Sequence, residues 1–395
     1  METLQNINFN NKKVLIRVDF NVPLNAQFEV TDSTRIVSAK PTIMKVLEDG
    51  GSCILMSHLG RPKSKELAFS LQHIVNVLET VLGKNVLFCS SCIGEDAQKA
   101  SDNLKPGQVL LLENLRYHPE ETTGGIGFAE ALSKLGDFYI NDAFGTAHRA
   151  HASTTIIAQF FPENKCFGSL LAQEIESIDK VMQTGEKPVL AILGGAKVSS
   201  KITIIDNILD KVDHLIIGGG MTFTFVKALG GSIGDSICED DKMELALQIL
   251  DRAKAKNVQV HIPVDVLAAD GFSNHANTQF VDVRTIPANW QGLDCGPKSK
   301  ALFHEVVQKC KTILWNGPLG VFEMEAFSSG TIALGNSIAE ATKNGAFSLV
   351  GGGDSVSAVK QFGFEKKVSY VSTGGGAMLE SLEGKTLPGI AAISN

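Results

Sequence analysis

Arginine is scarce in this chain: seven of the 36 basic residues, all the others being lysine. Basic charge as a whole is in deficit, with 43 acidic groups giving a formal net charge of −7, and neither half of the chain is basic. That argues against a general nucleic-acid or anionic-membrane binder. No apolar run reaches the roughly 18 residues of a membrane span. Met1-Glu2-Thr3 begins no positively charged, then apolar, leader. Cysteine is sparse and irregularly spaced, seven residues in 395, which suits reduced thiols. One Cys-x-x-Cys occurs, Cys89 to Cys92, but no second pair exists to complete a zinc site. Two ordinary small residues after a strand is the favoured reading. Together these absences indicate a soluble cytosolic protein.

Familiar phosphate signatures are missing too. Gly384-Lys385-Thr386 has Leu379 where a P-loop needs its first glycine. No strict Gly-x-Gly-x-x-Gly is present, so a dinucleotide-dependent oxidoreductase loses its main support. Protein-kinase catalytic and metal motifs are absent as well. His148 and His151 stand three apart without an evident third ligand, which favours hydrogen-bonding roles over metal binding.

What is present is a rhythm. Short apolar runs recur at Val14–Val18, Cys53–Met56, Val109–Leu112, Phe138–Ile140, Val189–Leu193, Leu215–Ile217, Val258–Ile262, Thr312–Trp315, Phe347–Val350 and Val368–Val371. Runs of this kind read as strands buried on both faces, hence parallel sheets. Helical spacing fills the intervals, as in Leu71, Ile74, Val75, Leu78 and Leu82. Leu245, Leu247, Ile249 and Leu250 read likewise, behind the acids Glu239, Asp240 and Asp241. The fold class is therefore α/β, and the length suits two domains at roughly 150 residues each. A boundary is expected near Phe161-Pro162-Glu163-Asn164, followed by a connecting helix at about 169–183. The expected domains are 1–164 and 165–379.

Five of the seven arginines precede residue 150. Arg61, Arg116 and Arg149 each follow a strand closely, and a fourth strand delivers Asp19, Phe20 and Asn21. Ligands of parallel α/β sheets bind beyond the strands' carboxyl ends, so these residues should share one edge. Planar guanidinium groups hold carboxylate and phosphate oxygens in pairs, so an anion site is favoured over scattered surface pairing. Arg17, inside a strand, reads as structural.

In the second half, strands end in glycine: Gly194-Gly195, Gly218 to Gly220, Gly351 to Gly353, and Gly374 to Gly376, with Asn316-Gly317-Pro318 after another strand. The set suggests backbone kept bare for something flat or phosphorylated. Glycine-lined helix starts also aim free N–H groups at anions. Lys197 and Lys201, spaced i,i+4, are expected on one helix face. Asp354 could hold a hard cation such as Mg²⁺.

The strings RVDFNVP (17–23), SHLGRP (57–62), ENLRYHPEE (113–121), NDAFGTAHRAHAST (141–154), GGAKVSSKI (194–202), GGGM (218–221), WNGPLGVFE (315–323), GGGDS (351–355) and STGGGA (372–377) resemble phosphoglycerate kinases, in order along nearly the whole chain. The resemblance implies reversible, Mg²⁺-dependent phosphoryl transfer between ATP and 3-phospho-D-glycerate, giving ADP and 1,3-bisphosphoglycerate. It implies two domains, each a mainly parallel sheet with helices on both faces, joined by a long helix with a cleft between. The tail at about 380–395 would return to the first domain. Asp19, Asn21, Arg35, His58, Arg61, Arg116 and Arg149 would bind phosphoglycerate. Gly194, Lys197, Lys201, Gly218, Gly292, Asn316, Glu323, Gly351, Gly352, Gly353, Asp354 and Ser355 would serve the nucleotide, with Asp354 on Mg²⁺. Arg35, Lys197 and Gly375 would act on the migrating phosphoryl group. The family also implies a monomer. Two departures stand out: Ser200 where an acid is common between the lysines, and Tyr117 in place of a common Phe.

Two other readings stay open at this level. One is a different ATP-dependent carboxylate kinase, since the glycine-rich half defines the nucleotide more than its partner. The other is a non-catalytic phosphometabolite-binding protein, which would be expected to lack a lysine or Asp354.

Overall fold

The structure, a computed structural model, describes residues 3–394. Met1, Glu2 and Asn395, which fall within the expected domain limits, lie outside the described residues. Six strands occupy the first part of the chain: β1 (Lys13–Val18), β2 (Ser52–Met56), β3 (Val86–Cys89), β4 (Val109–Leu112), β5 (Phe138–Asp142) and β6 (Lys165–Phe167). They form one parallel sheet in the order β3-β4-β2-β1-β5-β6.

Strand side chains alternate between faces, and here both faces are apolar. Val14, Ile16, Cys53, Leu55, Val109 and Leu111 enter one core with the helices Thr34–Glu48 and Val75–Leu82. Leu15, Ile54, Met56, Leu110 and Leu112 enter another with the helices Glu95–Asp102 and Ile126–Ser133. That double burial is why the sequence shows continuous apolar runs instead of alternation. Cys89 and Cys92 belong to the second of these cores. Burial pushes the Cys92 thiol up to about 12, so the pair is packing material.

The later strands are β7 (Val189–Leu193), β8 (His214–Ile217), β9 (Ser232–Ile233), β10 (Gln259–His261), β11 (Asp265–Ala269), β12 (Thr278–Asp282), β13 (Thr285–Ile286), β14 (Gln291–Cys295), β15 (Thr312–Asn316), β16 (Phe347–Val350) and β17 (Tyr370–Val371). A second parallel sheet runs β10-β8-β7-β15-β16-β17. Leu190, Ile192, Ile313 and Trp315 pack with Phe303, Val307, Leu334 and Ile338. The alternate residues Ala191, Leu193, Leu215, Ile217, Leu314 and Leu349 are buried as well. An antiparallel sheet, β12-β11-β14, and a small parallel pair, β13-β9, accompany it. These strands are short, and of them only β11, with Val266 to Ala269, holds more than two apolar residues in succession.

Two units result. One runs up to Ile175 and takes the chain back from Thr386; the other is Glu176–Lys385. The division falls inside the continuous helix Ser169–Met182, not at Phe161–Asn164. The chain re-enters the first unit after the helix Gly375–Leu382, later than about 380. There Ile393 joins the core, and the Asn141 amide donates to the Gly389 carbonyl at 3.2 Å. The Leu245–Leu250 expectation also needs correcting. Within the helix Met243–Ala255 the buried line is Ala246, Ile249 and Ala253, while Leu247 is 38 % exposed. At about 100° per residue, positions 245 and 247 cannot share a face. Among the described residues no helix is long and apolar enough to cross a membrane.

Candidate active site

In the first unit the carboxyl ends of β1, β2, β4 and β5 supply one charged edge. Arg35, in the first turn of the helix Thr34–Glu48, donates to the Asp19 carboxylate at 2.9 Å and to the Asn21 carbonyl at 3.1 Å. The Asn21 side-chain oxygen accepts from the Gly60 amide at 2.8 Å, and the Ser57 hydroxyl from the Phe20 amide at 2.8 Å. Arg116 donates to the Gly60 carbonyl at 2.7 Å. These bonds tie the loops after β1, β2 and β4 into one frame. Asn114 completes it, donating to the carbonyls of Leu59 (2.7 Å) and Phe69 (2.8 Å). Tyr117 uses its extra hydroxyl to hold the Glu66 carbonyl at 2.6 Å.

Positive charge at this edge is not balanced. Arg17, Arg35, Arg116 and His151 all bear on His58; with burial as the main cause, they hold its imidazole well below the ordinary range. His151 is lowered to about 4, first by burial and then by Arg17, Arg116 and Arg149. Burial, then Arg17, draws Arg116 down as well; Glu121 and Asp19 pull it up, and Arg61 lowers it. Arg61 and Arg149 are exposed and have no side-chain acceptor among the described residues. The carboxylates that bear on this cluster are Asp19 and Glu121, fewer than the five guanidinium groups. All seven residues expected to bind the acceptor therefore lie around one set of strand ends, and an anion would relieve their mutual repulsion.

In the second unit the strand ends carry little charge. A cavity of 420 Å³ is lined by Gly195, Gly219, Gly220, Gly292, Leu319, Glu323 and Asp354, among others. Its walls are largely apolar, with Phe223, Ile237 and Phe272 contributing. Lys201 donates to the Asn316 side-chain oxygen, and Asn316 donates to the Gly351 carbonyl at 2.8 Å. Burial lowers the Lys201 ammonium, while Asp354 pulls it upward. Ser355 accepts from the Gly317 amide at 2.5 Å. The helices Gly353–Gln361 and Gly375–Leu382 start without side-chain caps, leaving first-turn N–H groups for a ligand. Gly353 and Gly375 both face open space.

Two expectations change here. Lys197 and Lys201 do not share a helix face, because the helix begins only at Ile202. The preceding turn is pinned by Ser199, whose amide and hydroxyl reach Glu239 at 3.0 and 2.5 Å. Ser200 closes it by donating to the Lys197 carbonyl at 2.8 Å. Lys197 consequently projects from a turn and is exposed. The first glycine of several clusters is also not bare. A side chain at Gly194 would strike the Pro318 carbonyl, at Gly218 Leu319, and at Gly351 Met378. These glycines let neighbouring strand-end loops touch, and Gly219, Gly220 and Gly352 are packed as closely; Gly195, Gly353 and Gly375 are the ones with room beside them.

The phosphoglycerate kinase family model matches residues 4–385. A phosphoglycerate kinase of Porphyromonas gingivalis is 52% identical over 415 aligned residues, covering 99% of each chain. The chain belongs to the phosphoglycerate kinase family. A phosphoglycerate kinase of Chloroherpeton thalassium is 49% identical, over 100% of this chain and 99% of the other. The solved structure of phosphoglycerate kinase from Coxiella burnetii matches with a TM-score of 0.90 at 40% identity, covering 98% of this chain and 97% of that one. The enzyme from Pyrococcus horikoshii matches at 0.82 and 30%, over 100% and 98%. As a phosphoglycerate kinase, the protein is a phosphotransferase with a carboxyl acceptor, moving a phosphoryl group reversibly between ATP and 3-phospho-D-glycerate.

Several residues of the site were not singled out from sequence. Glu121 and Ser153 lie inside the motifs but are fully buried, beneath the arginines. Glu113 accepts from Ser70, Leu71 and Asn114 and so anchors the loop after β2. Asp294, raised by burial to about 6, accepts from Gly330 and Cys295 at the cavity wall. No spacing rule marks such residues, because their partners come from other elements. Among the described residues no cluster of three metal-ligating side chains exists. A lone exposed Asp354 at the lining of the cavity instead fits a cation that arrives with its phosphates, the usual regime for Mg²⁺.

Proposed function

We propose that the first unit binds 3-phosphoglycerate through Asp19, Asn21, Arg35, His58, Arg61, Arg116 and Arg149, and that the second binds ATP. The observation that carries this reading is the arginine cluster with too few carboxylates to neutralise it, set at the strand ends of one sheet. Glu323 and Gly292 would flank the nucleoside. Lys201, Asn316, Ser355 and the amides of Gly351, Gly352 and Gly353 would surround its phosphates, with Gly194 and Gly218 shaping the floor. Asp354 is the residue that would hold Mg²⁺, which supplies neutralisation of phosphate charge when bound.

The acceptor is a carboxylate, ionised at neutral pH, so no general base is needed. Its oxygen forms a bond to the γ-phosphorus as the bond to the bridging oxygen of ADP breaks. What the chain must supply is alignment and charge. Arg35, Lys197 and the Gly375 amide are assigned to the migrating group. Arg35 is already oriented by Asp19 and so loses little freedom on binding. Both half-sites must come together around the reactants, and exclusion of water would protect the phosphoryl group. Scattering with both substrates should show compaction relative to the free protein; an unchanged profile counts against closure. The same reading takes the protein as a cytoplasmic monomer without nucleic-acid or membrane partners, and the net charge of −7 supports the last two absences. Single-turnover transfer of labelled phosphoryl from MgATP to 3-phosphoglycerate tests the assignment. It should be fast in the native protein and lost with Arg116→Ala at low acceptor concentration; equal rates at every acceptor concentration would remove the arginine edge from the acceptor site.

A further inference from the structure

Beneath the acceptor edge lies a closed polar network that the transfer chemistry above does not use. Arg17, in the middle of β1, is fully buried. Its Nε donates to the Ser153 hydroxyl at 2.8 Å and one terminal nitrogen to the Val18 carbonyl. Its other terminal nitrogen faces the Nδ1 atom of His58 at 3.2 Å. Glu121, equally buried, lies 3.7 Å from the guanidinium and accepts from the Ser153 amide and hydroxyl at 3.0 and 2.7 Å. The Ser153 hydroxyl thus gives its one proton to Glu121 and receives from Arg17, so the directions of these bonds are fixed.

A guanidinium group has only donors. Across the 3.2 Å contact His58 Nδ1 must therefore present a lone pair, and the ring proton must sit on Nε2. The charged groups facing the ring are Arg17, Arg35 and Arg116 on one side of the balance and Asp19 on the other, with His151 nearby. Asp19 stands 3.8 Å from Nδ1, too far for a hydrogen bond. A proton on Nδ1 would point at a cation. Burial and the surrounding arginines also disfavour the imidazolium form. The ring is nearly buried, 3% exposed, and its Nε2 is not among the buried polar atoms left without a partner.

We infer that Arg17 is a positioning residue that fixes His58 as the neutral Nε2–H tautomer, making its imidazole an aimed, uncharged donor to an anionic oxygen of the acceptor. The donor role rests on the proposed acceptor site; the tautomer does not. The arrangement adds a directional hydrogen bond to a site otherwise made of positive charge. It discriminates by position rather than by attraction, as a neutral donor gains only where the oxygen is placed correctly.

Long-range ¹⁵N–¹H NMR on histidine-labelled protein reads the tautomer directly. His58 should show a protonated Nε2 and a bare Nδ1, unchanged from about pH 8 to about pH 5.5, where an ordinary histidine has become charged. An Nδ1–H tautomer, or an imidazolium signal above about pH 6, overturns the inference. Arg17→Gln, whose amide can donate or accept, should give mixed tautomers and a raised KM for 3-phosphoglycerate with an unchanged KM for MgATP; a pure Nε2–H signal in a folded Arg17→Gln protein also overturns it. Should that variant not fold, the spectrum of the native protein still decides the tautomer. The donor role is read from His58→Gln, whose amide nitrogen reaches about as far as Nε2, against His58→Asn, which reaches only as far as Nδ1. The Gln variant should keep acceptor KM within a few-fold, and the Asn variant should raise it about tenfold, one hydrogen bond's worth. Equal values for the two would remove the donor role alone. Undiminished 3-phosphoglycerate binding in Arg61→Ala and Arg116→Ala would instead overturn the acceptor site itself.

Discussion

On the proposed assignment, the two units would hold negatively charged oxygen with different material. In the first, long side chains would do it: guanidinium groups from three strand ends and the start of one helix, framed by Asp19, Asn21 and Asn114. In the second, the backbone would do it: uncapped helix starts and glycine loops around an apolar cavity, with few charged side chains beside it. A side-chain site recognises the whole shape and charge of a small rigid anion. A backbone site approaches phosphate closely and leaves room for a large apolar base. The difference predicts how each will fail. Side-chain deletions should wound the first unit's chemistry, whereas added methyl groups should wound the second unit's packing.

The largest effect should come from Arg35→Ala, which removes the charge proposed to act on the transferring group. Loss of one such preorganised donor costs about 10²–10³ in kcat. Near-normal turnover at saturating substrates would take Arg35 out of that role. Next in size, Asp354→Asn and Lys201→Ala should each raise KM for MgATP on the order of tenfold while leaving 3-phosphoglycerate binding alone, one charge-assisted contact being worth about 1.5–3 kcal/mol. Steady-state kinetics with each substrate varied in turn would show it; unchanged magnesium dependence in Asp354→Asn would count against the metal assignment.

The glycines sharpen the comparison further. Gly194→Ala must push against the Pro318 carbonyl and should cost about 1–3 kcal/mol of stability by overpacking. Gly353→Ala faces open space in a helical first turn and should be stabilising by about 0.4–1 kcal/mol. If Gly353 lies against bound phosphate, the same variant should nonetheless bind MgATP more weakly. Denaturant melts paired with nucleotide titrations separate the two outcomes. A Gly353→Ala protein that binds MgATP normally would show that the ligand does not approach there.

The smallest effect concerns acid. His261, held at about 4 mainly by burial and next by His214, sits 3.2 Å from it across β8 and β10. Its unfolded form takes a proton near 6.5, so the stability it contributes is complete above that pH and is lost as pH falls towards 4. His151 behaves likewise in the first unit. Asp142 and Asp294, both raised by burial to about 6, act in the opposite sense, contributing stability below about 3.8 that is lost as pH rises to 6. His261→Gln should therefore flatten the acid loss of stability between pH 6.5 and 4. The change is on the order of 1 kcal/mol or less, because solvent reaches the ring and screens it. A slope identical to that of the native protein would show that the histidine pair is not what senses acid.

How much of this was legible depended on whether the signal was local. Arg61, Arg116, Arg149, Asp19 and Asn21 could be placed on one edge because each follows a strand, and parallel strands bring their ends together whatever their order. The fold could be read because both sheet faces are buried, which removes alternation from the sequence. Lys197 and Lys201 misled because i,i+4 spacing means a shared face only inside a helix, and Ser199 docks that turn onto Glu239 instead. Arg17 read as structural, and it is fully buried, yet its purpose emerges only with His58, Glu121 and Ser153, which arrive from three distant stretches of chain. The antiparallel strands escaped notice for two reasons: β12 is largely exposed, and the mostly buried β11 and β14 carry acids, Asp265 and Asp294, that break up their apolar residues.

The central claim is a division of labour between a guanidinium edge and a bare-backbone edge. Separate calorimetric titrations of 3-phosphoglycerate and MgATP into Arg61→Ala and Lys201→Ala test it most directly. The account predicts a crossed result, with the first variant losing affinity for 3-phosphoglycerate only and the second for MgATP only. Loss of both ligands by either variant, or an exchange of the two losses, would contradict it.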